Sequence, residues 1–280
     1  MLQVPNALVS VDWLSENIDA NNLIVLNGTI PKVTVKKELD KQDSHQIKGS
    51  IFFDIKNQFS DTNAEFPNTV LSTEVFENKV QEISVNQNSC IVVYDEYGIY
   101  SSPRVWWLFK LMGFDNVAVL NGGFPAWKNA SYQTEIKQEN KLSKGSFKAK
   151  FKPNLIKNYK QVLESINSAN FLVADARSKG RFLVESPEPR KEVRSGRIPN
   201  SVSLSYSKLL QDGFMKTKEE LRAIFEEINP ECQDLVFSCG SGITACVLAL
   251  GTEISENYSY AVYDGSWTEW GSKLELPIEK

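Results

Sequence analysis

A strand, a tight loop and a helix follow one another between residues 235 and 251, and this segment constrains the fold most strongly. Residues 235–237 form a short apolar run, which predicts a buried strand of a parallel sheet. From Ile243 onward, apolar residues recur at the i, i+3, i+4, i+7 spacing of a helix face, and Gly251 is the expected end of that helix. A buried strand that passes through a loop into a helix is typical of an α/β fold.

The loop between this strand and helix is Cys239-Gly240-Ser241-Gly242. Its two glycines permit backbone angles that other residues resist, so that the loop amides can converge on one point. The positive end of the helix dipole lies at the same place. Such a position lowers the pKa of a thiol from about 8.5 to about 3.5–7.5. The loop therefore predicts a nucleophilic thiolate at Cys239, with a buried structural cysteine as the alternative interpretation.

Four stretches of the chain together resemble one family. Cys-Gly-Ser-Gly-Ile-Thr-Ala at 239–245 resembles the active-site loop of the rhodanese superfamily, in the form found in 3-mercaptopyruvate sulfurtransferases. Three further stretches, at 175–182, 187–190 and 263–270, occur in the family order at similar intervals. The resemblance implies an α/β fold of two tandem rhodanese-like domains, each a central parallel sheet flanked by helices.

An internal repeat leads to the same domain organisation. The helix and strand pattern of residues 8–27 recurs at 155–177, and the apolar strand at 90–95 corresponds to the one at 235–237. In this alignment Asp95 falls opposite Cys239. A chain of 280 residues is also long enough to form two domains. We predict an N-terminal rhodanese-like domain at 1–130 without the active cysteine, a linker at 131–153, and a C-terminal catalytic domain at 154–280.

Composition restricts the classes of function and location. A net charge of −4 does not suggest binding to nucleic acid or to an anionic membrane, and no apolar run reaches the ~18 residues of a membrane span. The first residues lack the pattern of a secretory signal, so a cytoplasmic location is expected. Four cysteines without a CxxC motif, together with one histidine, make a zinc site improbable. We expect no metal and no cofactor.

Five arginines crowd residues 177–197, directly after a predicted strand. Open α/β sheets bind ligands at the carboxyl ends of their strands. The resemblance implies that Arg181 and Arg190 hold the carboxylate and carbonyl of the substrate, and the planar fork of arginine suits a carboxylate. Charge pattern alone favours a solvated loop, or pairing with acidic neighbours such as Glu188. The resemblance also implies substrate contacts from the loop residues Gly240, Gly242, Ile243 and Thr244.

Ser241 is predicted to donate a hydrogen bond to a substrate oxygen or to the cysteine sulfur, although serine is also common in turns. In the mercaptopyruvate enzymes of the family, this serine has been assigned to a Ser–His–Asp arrangement. The histidine and aspartate positions correspond here to Asn68 and Lys56. We therefore expect no such relay, and we expect His45, the one histidine, to lie on the surface.

The resemblance implies transfer of sulfane sulfur from 3-mercaptopyruvate through a persulfide on Cys239, with release of pyruvate. The expected partners are a small anionic sulfur donor and a thiol acceptor such as thioredoxin, or cyanide. Thiosulfate-specific relatives carry Arg-Lys after the cysteine, where this chain has Gly240-Ser241. The alternatives are a thiosulfate sulfurtransferase and a non-catalytic persulfide carrier or interaction module. A cysteine phosphatase would need an arginine at position 245, which is Ala245.

Overall fold

The computed structural model describes residues 1–32, 44–138, 142–168 and 171–280. The chain divides into two compact units. The first unit comprises Met1–Asp61, Val70–Lys152 and Asp212–Met215. The second unit comprises Thr62–Thr69, Pro153–Gln211 and Lys216–Lys280. Each half of the chain therefore contributes one short segment to the unit that the other half mainly builds.

The first half of the chain alternates strands and helices, as its hydrophobic pattern predicts. Its elements are β1 (Leu8–Val9), α1 (Val11–Asn17), β2 (Leu23–Asn27), β3 (His45–Ile47), β4 (Ile51–Phe52), α2 (Thr73–Glu82), β5 (Cys90–Tyr94), α3 (Ser102–Leu111), β6 (Val117–Leu120), α4 (Gly123–Asn129) and β7 (Thr134–Ile136). Five strands form a parallel sheet in the order β1-β6-β5-β2-β4, while β3 and β7 form an antiparallel pair. Every residue of β5 is buried, which is typical of a parallel strand covered on both faces.

The second half repeats this organisation. Its elements are β8 (Ile156–Lys157), α5 (Tyr159–Ser168), β9 (Leu172–Asp175), α6 (Lys179–Phe182), β10 (Val202–Ser203), β11 (Leu210–Gln211), β12 (Phe214–Met215), α7 (Lys218–Ile228), β13 (Leu235–Ser238), α8 (Ala245–Ser255), β14 (Tyr260–Tyr263) and α9 (Ser266–Ser272). The parallel sheet has the order β10-β9-β13-β14-β8. This is the order of the first sheet read from the other edge, which confirms both the predicted repeat and the predicted fold class.

Gly251 does not end helix α8, and that prediction is wrong. The helix begins at Ala245, two residues after the first apolar position of the pattern, and continues to Ser255. Glu256, in the left-handed conformation with φ +58°, caps its end. A Cβ atom on Gly251 would lie 2.5 Å from Leu209 Cδ2. This glycine therefore serves a close packing contact inside the helix, which the local sequence pattern does not distinguish from a stop.

Helices α7 and α2 start at capping residues that the sequence contains. Thr217 caps α7, and its side chain accepts the N–H of Glu220 while the Glu220 carboxylate accepts the N–H of Thr217. Ser72 caps α2 in a similar way by accepting the N–H of Val75. The exchanged segments, residues 62–69 and 212–215, come just before these two caps. They therefore occupy corresponding positions in the repeat.

The predicted linker at 131–153 includes residues 139–141, which lie outside the described residues. Part of the rest packs within the first unit: the N–H of Gly145 donates to Gln81 O at 2.8 Å, and that of Lys150 donates to Met112 O at 2.8 Å. The expected domain bounds stay a prediction. No helix within the described ranges is long and apolar enough to cross a membrane.

Candidate active site

Cys239 lies at the carboxyl end of the buried strand β13, in the loop that leads into α8. The residue is only 2% exposed. The following Gly242 has φ +77°, a left-handed conformation that glycine adopts without strain. This is the predicted strand–loop–helix arrangement, and it places the thiol at the amino-terminal side of the helix.

The start of α9 fixes the backbone of this loop. The N–H groups of Trp267 and Thr268 donate to the carbonyl oxygens of Cys239 and Gly240, each at 2.9 Å. The N–H of Cys239 donates to Ser266 Oγ at 3.1 Å, and this oxygen lies 3.9 Å from Cys239 Sγ. The sequence analysis used residues 263–270 only for the family resemblance. It missed that Ser266 and Thr268 hold the loop directly.

Arg181 lies beside the loop. A Cβ atom on Gly240 would be 3.4 Å from Arg181 Nη2 and 3.6 Å from Nη1, so the guanidinium lies within van der Waals distance of this position. The Nε and Nη2 atoms of Arg181 also donate to the carboxylate of Glu188. Arg181 therefore pairs with Glu188, as the charge pattern predicts, and it also lies beside the loop of Cys239. Its role in substrate binding stays a prediction.

Arg190 reaches the same loop through Thr268. Its Nη1 donates to Thr268 Oγ1 at 3.0 Å, and the Thr268 hydroxyl in turn donates to Gly240 O. Arg181 thus lies directly beside Gly240, whereas Arg190 is linked to the same residue through Thr268. Arg190 and Arg181 both remain partly exposed.

Arg177 is a buried structural residue. It donates to both carboxylate oxygens of Asp175, to Glu188 Oε1 at 2.7 Å and to Gly196 O at 2.8 Å. Its guanidinium also lies 4.4 Å from the ring centroid of Trp267. Glu188 therefore bridges Arg177 and Arg181, and it links the buried network to the candidate site.

Ser241 contacts a residue from the first half of the chain. Asn68 Nδ2 lies 2.9 Å from Ser241 O and 3.2 Å from Ser241 Oγ. Asn68 is 8% exposed and belongs to the exchanged segment Thr62–Thr69, which is part of the second unit. The residue that takes the family's histidine position in the sequence alignment thus does contact Ser241. His45 is exposed, as expected.

The corresponding loop of the first unit surrounds the carboxylate of one of its own residues. Asp95 occupies the position of Cys239, and its carboxylate accepts the backbone N–H groups of Tyr97, Tyr100 and Ser101, each at 2.9 Å. These residues correspond to Ser241, Thr244 and Ala245 in the repeat. A loop of this kind can therefore direct several amides at one negatively charged side chain.

The other three cysteines have different surroundings. Cys90 and Cys246 are buried, while Cys232 is exposed. Burial raises the pKa of the Cys90 thiol to about 11. Cys246 donates through its thiol to Gly242 O at 3.4 Å. Within the described part of the chain, no group of three or more metal-binding side chains comes together.

Comparison with known proteins agrees with this geometry. The rhodanese-like domain family matches residues 10–130 and 158–273. The chain therefore belongs to the rhodanese family, as a protein with two rhodanese-like domains.

The chain is 32% identical over 275 residues to 3-mercaptopyruvate sulfurtransferase of Escherichia coli K12, with 97% of each chain covered. It is 35% identical over 273 residues to thiosulfate sulfurtransferase of Rattus norvegicus, which covers 94% of this chain and 91% of the relative. The crystal structure of SseA from Escherichia coli superposes with a TM-score of 0.82 and 29% identity, over 94% of this chain and 99% of the other. These similarities support a sulfurtransferase function.

Proposed function

We propose that this protein transfers sulfane sulfur from 3-mercaptopyruvate to a thiol acceptor or to cyanide, through a persulfide on Cys239, and releases pyruvate. The observation that carries this proposal is that two arginines reach the loop of the candidate nucleophile: Arg181 lies beside Gly240, and Arg190 is linked to Gly240 through the hydroxyl of Thr268. Two guanidinium groups beside a thiol suit a small donor that has both a sulfur atom and a carboxylate.

The reaction takes two displacements. The Cys239 thiolate attacks the donor sulfur, so that an S–S bond forms while the C–S bond of the donor breaks. The electron pair of the broken bond leaves with the carbon skeleton as pyruvate enolate, which gains a proton to become pyruvate. An acceptor thiolate then attacks the outer sulfur of the persulfide and restores the Cys239 thiolate. This is double-displacement covalent catalysis.

The charges around the site suggest different tasks for the two arginines. Arg177 and Arg181 contact the carboxylates of Asp175 and Glu188, so these four charges sum to zero. Arg190 donates instead to the neutral hydroxyl of Thr268. We infer that Arg190 supplies the net positive charge that a carboxylate meets, while Arg181, held by Glu188, supplies directed hydrogen bonds.

The loop amides and Ser241 complete the proposed site. By analogy with the amides that Asp95 accepts in the first unit, the N–H groups of Ser241 and Thr244 stabilise negative charge on the Cys239 sulfur. Gly240, Gly242 and Ile243 supply the rest of this backbone. The Ser241 hydroxyl donates to the carbonyl oxygen of the donor as enolate charge develops, a contribution of the oxyanion-hole type.

Thiosulfate is the competing donor, because relatives named for each donor match this chain at similar identity. Thiosulfate is a compact dianion and needs cations close to its sulfur. The positions after Cys239 are the uncharged Gly240 and Ser241. We therefore propose a higher kcat/KM for 3-mercaptopyruvate than for thiosulfate.

A donor panel tests this proposal. Pyruvate and sulfide release from 3-mercaptopyruvate, and sulfite release from thiosulfate, are measured with purified protein, with and without reduced thioredoxin as the thiol acceptor. We expect faster turnover of 3-mercaptopyruvate than of thiosulfate, and a further increase when thioredoxin is added. Equal or better turnover of thiosulfate would make the protein a thiosulfate sulfurtransferase. If neither donor is turned over, the result would instead favour a persulfide carrier or an interaction module.

A further inference from the structure

The amide of Asn68 makes two contacts with one residue of the candidate active-site loop. Its Nδ2 atom lies 2.9 Å from the carbonyl oxygen of Ser241 and 3.2 Å from the hydroxyl oxygen of the same residue. A carbonyl oxygen can only accept a hydrogen bond, so the NH₂ group of Asn68 must face it. This NH₂ group is therefore within hydrogen-bond distance of both oxygens of Ser241.

This arrangement decides where the proton of the Ser241 hydroxyl points. A hydroxyl group has one proton to donate and two lone pairs to accept with. Because Asn68 donates to Ser241 Oγ, one lone pair is engaged on that side and the proton is directed elsewhere. In the proposed reaction, that direction is toward the carbonyl oxygen of the donor.

The backbone at Asn68 is adapted to this contact. Asn68 has φ +63°, a left-handed conformation that asparagine and aspartate adopt more readily than most other residues that carry a side chain. Its side chain is largely buried, and Thr69 Oγ1 donates to Phe66 O at 2.8 Å within the same short segment. Asn68 therefore contacts Ser241 from a largely buried position in a hydrogen-bonded segment.

We propose that Asn68 is a positioning residue, which directs the Ser241 hydroxyl proton toward the carbonyl oxygen of an α-keto acid donor. This inference rests on the proposed function, because it specifies how the same site favours such a donor. An asparagine amide does not titrate, so it holds the hydroxyl in this direction at every pH at which the protein is folded. The first half of the chain thereby contributes to a reaction centred on the second half.

Two substitutions separate this role from a structural one. Asn68→Gly removes the amide without straining the left-handed backbone, since glycine tolerates positive φ. Asn68→Asp keeps the shape but presents a carboxylate, which accepts the hydroxyl proton and turns it away from the donor. We expect kcat for 3-mercaptopyruvate to fall about two- to tenfold in Asn68→Gly, and further in Asn68→Asp.

Thiosulfate is the control donor for both variants. It has no carbonyl oxygen, so kcat for thiosulfate should change by less than about twofold in Asn68→Gly, the size of the weakest hydrogen-bond effects. A second control is the Ser241→Ala background, in which Asn68→Gly should cause no further loss of kcat with 3-mercaptopyruvate. Thermal unfolding midpoints of all variants establish that each is folded at the assay temperature.

Equal losses with both donors would overturn the positioning role, as would the same loss in the Ser241→Ala background as in wild type. A failure of the proposed function gives a different result, namely no turnover of 3-mercaptopyruvate by the wild-type protein.

Discussion

The carboxylate of Asp95 accepts both the backbone N–H of Ser102, at 2.9 Å, and the Ser102 hydroxyl, at 2.7 Å. Asp95 is fully buried, and it stands where the second unit has Cys239. The first unit thus keeps the anion-binding loop of the repeat and fills it with a carboxylate of its own. A loop filled in this way has no position for a sulfur nucleophile, which accords with a structural role for this part of the first unit.

Asp95→Asn should destabilise the protein without removing its sulfur-transfer activity. The substitution turns one carboxylate oxygen into an NH₂ group that faces backbone N–H donors. Hydrogen bonds to charged groups contribute about 1.5–3 kcal/mol each, so we expect the free energy of unfolding to fall by at least about 2 kcal/mol. Urea unfolding checks this. Glu96→Gln, at a partly exposed ion pair with Lys137, is the control and should cost less than about 1 kcal/mol. Equal effects of the two variants would contradict the account.

The two arginines beside the loop should differ in their effects on donor binding. Arg181→Ala and Arg190→Ala each remove a charge-assisted hydrogen bond to the donor, so kcat/KM for 3-mercaptopyruvate should fall about ten- to a hundredfold, mainly through KM. We expect the larger rise in KM for Arg190→Ala, because Arg181 is already paired with Glu188. Steady-state kinetics give both values.

Arg222→Ala is the matched control for these arginine variants. The guanidinium of Arg222 is bonded to Asn257 Oδ1 and to Ser255 O, which belong to other elements of the second unit. Its removal should leave KM for 3-mercaptopyruvate unchanged. An unchanged KM in both Arg181→Ala and Arg190→Ala would return these arginines to a purely structural role.

Gly242→Ala should impair both the fold and the reaction. The residue has φ +77°, and a left-handed conformation costs about 1–2 kcal/mol for a residue with a Cβ atom. We expect a loss of stability of that size in urea unfolding, and a fall in kcat because the amides after Cys239 shift. Gly213→Ala is the control, since it has φ +85° with no atom within 4 Å of an added Cβ atom. It should lose similar stability but keep full kcat, and a similar fall in kcat for both would contradict the prediction.

Glu269 makes the free energy of unfolding depend on pH. Burial raises the pKa of this carboxyl above its usual value, although the Tyr263 hydroxyl donates to its Oε2 at 2.8 Å. A raised folded-state pKa means that the stabilising contribution is complete below the unfolded pKa and is lost as pH rises through the folded one. Glu269→Gln should therefore be more stable than wild type at pH 7, and this advantage should disappear toward pH 4.

Glu220→Gln should show the opposite sign. Hydrogen bonds from the Thr217 backbone and side chain lower the pKa of Glu220 at the start of α7. This stabilising contribution is present above the unfolded pKa and is lost as pH falls through the folded one, so Glu220→Gln should be less stable than wild type at pH 7. Urea unfolding across this pH range measures both variants. Parallel curves for Glu269→Gln and wild type would refute the prediction for Glu269.

Local patterns predicted much of the site. The strand–loop–helix around Cys239 depends on residues close together in sequence, and the structure reproduces it. The alignment of Asp95 with Cys239 rests on the repeated strand pattern, and both residues directly follow the corresponding strands β5 and β13. Arg181 and Arg190 could be proposed only through the family resemblance, because charge pattern alone favoured pairing with acids such as Glu188.

The remaining features depend on contacts between distant parts of the chain. Nothing in the sequence near Gly251 indicates that Leu209 packs against it. The glycine was therefore predicted to end the helix, although it lies inside it. The contact of Asn68 with Ser241 spans 173 residues and arises from an exchanged segment. Thr268 likewise reaches Gly240 from 28 residues away. A single sequence carries no signal for such pairs, although the alignment of Asn68 with the family's histidine position pointed to this residue.

Mass spectrometry can identify the residue that carries the transferred sulfur. The protein is mixed with 3-mercaptopyruvate in the absence of an acceptor, alkylated and digested, and the added sulfur atom is located. We expect one added sulfur on Cys239, absent in Cys239→Ser and retained in Cys246→Ala. Added sulfur found mainly on Cys90, Cys232 or Cys246 would contradict it.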